Sequence, residues 1–256
     1  MNSEKPFLNF QVDHMTLLLQ PEFYKVAYVA FQVIFGLTFK FEPKSEDLIY
    51  HMETGEDDGT KKSMTYAIRL GQGSSPNAEL NRTVIAIVQP TEPDAQASHV
   101  RDMLDGGAAH WQHIALRTSD LFAFYDHARE RGVQFVTSIR KDSVEDLIQV
   151  FSGELYFPGT KPSGVFFEFV QRNPTEKDLQ TVKDRQAMFR DETFMGLYKQ
   201  KQLEYDSKIV KPFLSFELFN LLLKEFRDIN LWEIEESHIE QAEDIMIQYA
   251  RNAANP

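Results

Sequence analysis

Hydrophobic and polar residues alternate in short bursts over the first two thirds of the chain. "VDHMTLLL" (12–19) predicts a strand. "PEFYKVAYVAFQVIFG" (21–36) has helical texture, with Pro21 suited to a first turn. "LTFKFEP" (37–43), "DLIYHME" (47–53), "SMTYAIRL" (63–70) and "TVIAIV" (83–88) predict strands, with turns rich in Gly, Asp and Ser between several of them. After a polar connector the order restarts. "HWQHIAL" (110–116) predicts a strand, and "SDLFAFYDHARERG" (119–132) predicts a helix with Ser119 as N-cap and Gly132 as C-cap. "VQFVTSI" (133–139), "DLIQVFS" (146–152) and "GVFFEFV" (164–170) complete the second set of strands.

A strand–helix–strands order that occurs twice implies two similar α+β modules, at about 8–92 and 106–174. Together they form a sheet domain spanning 1–174. Beyond Pro174 the texture becomes charged and helix-prone, then oily in "PFLSFELFNLLLKEF" (212–226). Ile239, Ala242, Met246 and Tyr249 fall at helical spacing. Residues 175–256 are therefore read as a helical extension that packs on the sheet domain or on a second copy in a homo-oligomer.

Composition narrows the class. The 256 residues, 42% hydrophobic, allow a sizeable core. The lack of cysteine excludes disulfides, thiolate zinc sites and cysteine nucleophiles, and fits a reducing cytoplasm. A net charge of −12 argues against a nucleic-acid partner. No signal peptide and no membrane-spanning run is expected.

One strand poses a chemical question. In "GVFFEFVQR" (164–172), Glu168 sits among Phe166, Phe167, Phe169 and Val170. An ionised carboxylate is costly there unless something positive meets it. His14 lies in the first strand of the first module, and His113 in the matching strand of the second. Two imidazoles and one carboxylate form the facial triad of non-haem Fe(II) sites, which leaves positions open for substrate and oxygen. A cation would also let Glu168 remain ionised. Taken singly, each residue fits a plainer role: a hydrogen-bonded strand histidine, or a glutamate turned to solvent from an edge.

"GGAAHWQHIALRTSDLFAFYDHARERGVQF" and "GVFFEFVQR" resemble the second half of the 4-hydroxyphenylpyruvate dioxygenase family. That family belongs to the vicinal oxygen chelate (glyoxalase/bleomycin resistance/dioxygenase) superfamily. The likeness spans roughly residues 10–200 and also takes in Asp13-His14-Met15, "DLIQVF", "QPTEP" and "DETFMGLYK". It implies paired βαβββ modules whose curved mixed sheet surrounds an Fe(II) held by His14, His113 and Glu168. It places Gln149 beside the metal as a catalytic amide. Thr91, His99, Gln112, Phe151 and Phe194 would line the substrate pocket, with Phe194 on a gating helix.

The activity implied is Fe(II)-dependent oxidation of a small α-keto acid with O2. The alternatives on the same scaffold are a glyoxalase-like isomerase, a ring-cleaving dioxygenase or a non-catalytic metal- or ligand-binding protein. Where the family has Ser, Asn and Gln at the phenol end of its substrate, Ala67, Thr91 and His99 stand here. A keto acid less polar at its far end than 4-hydroxyphenylpyruvate is therefore expected.

Overall fold

The computed structural model describes residues 5–35, 48–54, 61–70, 83–90, 99–142, 146–188 and 197–254. The expected strand at 37–43, and the positions of Thr91 and Phe194, lie outside the described residues.

The strand–helix–strands order is present twice. It runs β1 (Gln11–Leu19), α1 (Pro21–Phe35), β2 (Leu48–Thr54), β3 (Lys61–Leu70) and β4 (Thr83–Pro90). After α2 (His99–Leu104) it repeats as β5 (Ala109–Arg117), α3 (Leu121–Arg129), β6 (Arg140–Lys141), β7 (Leu147–Glu154) and β8 (Phe166–Arg172). Helices α4 (Glu176–Met188), α5 (Leu197–Ser207), α6 (Phe216–Phe226) and α7 (Glu236–Ala254) follow. Among the described residues, no helix is long and apolar enough to cross a membrane.

The chain divides into two compact units. One comprises Gln11–Leu116 and Met195–Ile209. Its strands lie in the order β2-β3-β4-β1-β5. β1 runs parallel to β4, with His14 opposite Val84 and Leu18 opposite Val88, while β2–β3 and β3–β4 are antiparallel. Side chains alternate across a strand. Along β1 this sets His14, Thr16 and Leu18 on one face, and the last two are buried. Leu19, Ile87, Val88, Val100 and Ala115 are buried in the same unit.

The other unit comprises Met1–Phe10, Arg117–Phe194 and Val210–Pro256. Its strands β8-β7-β6 are antiparallel, with Phe151 opposite Glu168 and Gln149 opposite Val170. One face of β8 carries Phe167 and Phe169. The Phe169 ring packs 4.3 Å from Phe124 of α3. The opposite face carries Phe166, Glu168 and Val170, all buried.

Behind β7 the backbone itself closes up. Glu154 N–H donates to the Lys211 carbonyl at 2.9 Å, and Phe213 N–H to the Glu154 carbonyl at 2.7 Å. A Cβ on Gly153 would stand 2.2 Å from the Pro212 carbonyl oxygen, so no side chain fits there. Helix α6 begins after Ser215, whose hydroxyl accepts from Leu218 N–H and donates to the Tyr249 hydroxyl of α7 at 2.7 Å.

Several elements differ from expectation. "VQFVTSI" is not a strand, because its hydrogen bonds are split between two partners. Gln134 N–H donates to Phe213, whereas Val136 N–H donates to Phe151. Isolated bridges at Val133–Leu214 and Phe135–Ser152 result, and the short strand β6 comes after them. Asp120, not Ser119, caps α3 by accepting from Ala123 N–H. Glu130 occupies the C-cap, with Gly132 two residues on in the left-handed region at φ 79°. The six-residue α2 arises within the polar connector.

Candidate metal centre

Two imidazoles face each other in the first unit. The rings of His14 and His113 lie 5.6 Å apart between centroids, edge to face. Each is fixed through its Nδ1. His14 Nδ1 lies 3.1 Å from Asp13 Oδ1, a carboxylate whose side chain is 3% exposed. His113 Nδ1 lies 3.1 Å from Gln112 Oε1, while the Gln112 amide nitrogen is directed to Met103 Sδ.

Both partners of Nδ1 are acceptors, so Nδ1 carries a proton, and in the neutral ring the lone pair is on Nε2. That is the tautomer a metal ligand needs, held by the kind of outer hydrogen bond that orients ligating histidines. His113 Nε2 lies 2.9 Å from the hydroxyl of Thr16.

Glu168, in the other unit, is 3% exposed. That burial removes the edge-strand reading in which it turned to solvent. On its face of the sheet, Phe151 lies opposite it and Phe166 and Val170 flank it, all apolar and buried. Gln149 is on the same face and donates through Nε2 to Asp142 Oδ2 at 3.2 Å.

The remaining expected pocket residues fare differently. His99 is buried at the start of α2, where its backbone N–H and its Nδ1 both engage Gln202 Oε1 of α5, at 2.8 and 3.2 Å. Gln112 is fully buried and holds His113. Thr91 and Phe194 are not among the described residues. Thr16 is a residue that sequence reasoning missed. Its signal was positional: two residues beyond His14 in a strand, it shares that histidine's face.

Residues 44–169 match the model of the Glyoxalase/Bleomycin resistance protein/Dioxygenase superfamily. The matched span includes His113 and Glu168 and begins beyond His14. The α+β architecture with a mixed sheet is that of the vicinal oxygen chelate fold.

Among solved structures, a triple mutant of 4-hydroxymandelate synthase from Streptomyces coelicolor is similar at 16% identity and a TM-score of 0.45. The likeness covers 70% of this chain but only 55% of the synthase. A methylmalonyl-CoA epimerase variant from Streptomyces coelicolor is similar at 16% identity, TM-score 0.40, over 64% of this chain and 98% of the epimerase. The methylmalonyl-CoA epimerase from Mycobacterium tuberculosis is similar at 21%, TM-score 0.38, over 64% and 88%. At such identities the activities of those proteins do not transfer to this chain. No curated protein matches it.

Proposed function

We propose that this protein is a metal-dependent enzyme, an Fe(II) dioxygenase acting on an α-keto acid, with His14, His113 and Glu168 as the ligands. The observation that carries the reading is the facing pair His14 and His113, 5.6 Å apart between ring centroids and each held through its Nδ1 by the kind of outer hydrogen bond that orients ligating histidines. Glu168, buried among phenylalanines, is the proposed third donor. The set fits the ion chemically too: two neutral imidazoles, one carboxylate and no thiolate suit iron and its divalent neighbours.

The residues divide the work. Asp13 and Gln112 present the two imidazoles in the metal-ready tautomer. Glu168 brings one negative charge into an apolar wall, which lowers the net charge of the ion held there. Phe151 and Phe166 keep bulk water from that wall, where electrostatic interactions gain strength. Gln149 keeps a second amide proton beyond the one spent on Asp142 and is proposed to donate it to the bound acid. What the cation supplies when bound is Lewis acidity and open positions for the acid's oxygens and for O2.

The substrate is proposed to be an α-keto acid less polar at its far end than 4-hydroxyphenylpyruvate. Ala67 supports this, since a methyl group, which cannot hydrogen-bond, stands where the resembled family has a serine hydroxyl. A site built to pair a hydroxyl rejects analogues that lack one by large factors. The test is oxygen uptake by the anaerobically iron-loaded protein, comparing kcat/KM for 4-hydroxyphenylpyruvate, phenylpyruvate and branched aliphatic keto acids. Uptake with a preference for the latter two is expected. A clear preference for the hydroxylated acid overturns the substrate class. No uptake with any acid leaves an isomerase or a binding protein of this fold.

A further inference from the structure

We infer that Thr16 is a hydroxyl switch at the metal site: it caps the ligand nitrogen of His113 in the metal-free protein and turns to the α-oxo acid once metal is bound. The inference rests on the metal-centre reading and concerns a residue with no part in the ligand set. Thr16 is 1% exposed in β1, and its Oγ1 lies 2.9 Å from His113 Nε2.

Directionality follows from the other ring nitrogen. Gln112 Oε1 can only accept, so His113 Nδ1 carries a proton, and in the neutral ring that a metal requires Nε2 carries the lone pair. Thr16 is then the donor. One lone pair cannot hold both a hydroxyl proton and a cation. Metal entry at Nε2 must therefore break this hydrogen bond, and Thr16 competes with the metal for as long as the site is empty.

Once displaced, the hydroxyl is a buried donor that needs a new acceptor, since a buried polar group left unpaired is costly. It stays next to the nitrogen that has just taken the metal. An anion whose carboxylate and keto oxygens chelate that metal brings acceptors to the same place. Thr16 thus has opposite effects on the two binding events, weakening uptake of the bare metal and strengthening uptake of the acid. A side chain that merely filled space would affect neither, or would impair both.

Thr16→Val keeps the shape and the β-branch while deleting the donor, and Thr16→Ser restores a hydroxyl. Co(II) affinity of the metal-free protein would be read by competition with a chromogenic chelator. Oxalate, the smallest dianion with this chelating head, would then be titrated into Co(II)-loaded protein and followed by visible absorbance. Neither readout uses turnover. Thr16→Val is expected to bind Co(II) roughly three- to tenfold more tightly and oxalate more weakly by a similar factor, the range of one net hydrogen bond. Thr16→Ser should behave as wild type. Weaker or unchanged Co(II) affinity, or unchanged oxalate affinity, in Thr16→Val overturns the switch. The ligand assignment fails separately, if wild type does not take up Co(II) or if His113→Ala takes it up as well as wild type does.

Discussion

The histidine strands and the glutamate strand prepare their ligands in opposite ways. On β1 and β5 three imidazole nitrogens are set by polar neighbours: His14 Nδ1 by Asp13, and His113 by Gln112 at Nδ1 and Thr16 at Nε2. On β8 the carboxylate shares its face of the sheet with Phe166, Phe151 and Val170. Gln112 and Thr16 orient a ring without adding charge, whereas Asp13 sets a buried carboxylate beside His14. A carboxylate among apolar side chains is attracted to a cation more strongly than one in water. On the proposed reading, hydrogen bonds orient the imidazoles before metal binding, and Glu168 adds the charge that attracts the cation.

Removing ligands tests that contrast with the largest effect. His14→Ala, His113→Ala and Glu168→Ala should each weaken Co(II) or Fe(II) binding at least about a hundredfold, the equivalent of ~2.7 kcal/mol. Wild type at a hundredfold excess of metal over its Kd should gain about the same 2.7 kcal/mol in stability, which each variant should lose. Thermal unfolding with and without metal under anaerobic conditions reads this directly. Gln149→Ala serves as the contrast, since it should keep the metal-induced shift and lower only kcat. A full shift in Glu168→Ala would show that the glutamate strand plays no part in holding the ion.

The backbone around β7, the strand paired with that of Glu168, offers the next test. Strand β7, which pairs with β8, passes so close to Pro212 that Gly153 has no room for a side chain. The obstacle is main-chain carbonyl rather than a movable side-chain tip, so relaxation requires the 211–213 segment or β7 to shift. Gly153→Ala should cost about 3 kcal/mol or more, measured by urea unfolding. Loss of less than about 1 kcal/mol would mean that the approach of the 211–213 segment is not tight.

Sequence patterning made most of this legible, and the failures have physical causes. Strands β1, β3, β4, β5, β7 and β8 could be read because each pairs over several residues and one face at least is apolar. "VQFVTSI" could not, since its alternating pattern is the same whether one partner strand or two separate segments take its hydrogen bonds. Helix α2 is too short for periodicity to show. At the site, Glu168 was visible because a charge among phenylalanines breaks the local pattern. Thr16 was invisible because a threonine in a strand is ordinary; only its distance to His113 makes it chemical. The family resemblance places His99 in the pocket, whereas its partner Gln202 lies more than a hundred residues away in sequence.

The smallest effect concerns the C-terminal helices that pack in the same unit as Glu168. Arg131, just beyond α3, donates from Nε to Glu243 Oε1 of α7 at 2.8 Å and contacts the same oxygen through Nη2. The hydrogen bond and then the charge of Arg131 lower the pKa of Glu243 below its usual 4.5. A carboxylate with a depressed folded pKa contributes stability above its unfolded value and loses it as pH falls through the folded one. The pair should therefore help dock α7 at neutral pH and lose that contribution as pH falls from the usual carboxylate value through the lowered folded one. Because the Glu243 side chain is 42% exposed, solvent screening limits its contribution to no more than about 1 kcal/mol. Glu243→Gln should accordingly lower the urea midpoint slightly at neutral pH and flatten part of its decline on acidification. If the variant and wild type lose stability in parallel between about pH 6 and pH 3, the ion pair contributes nothing and apolar contacts alone hold α7.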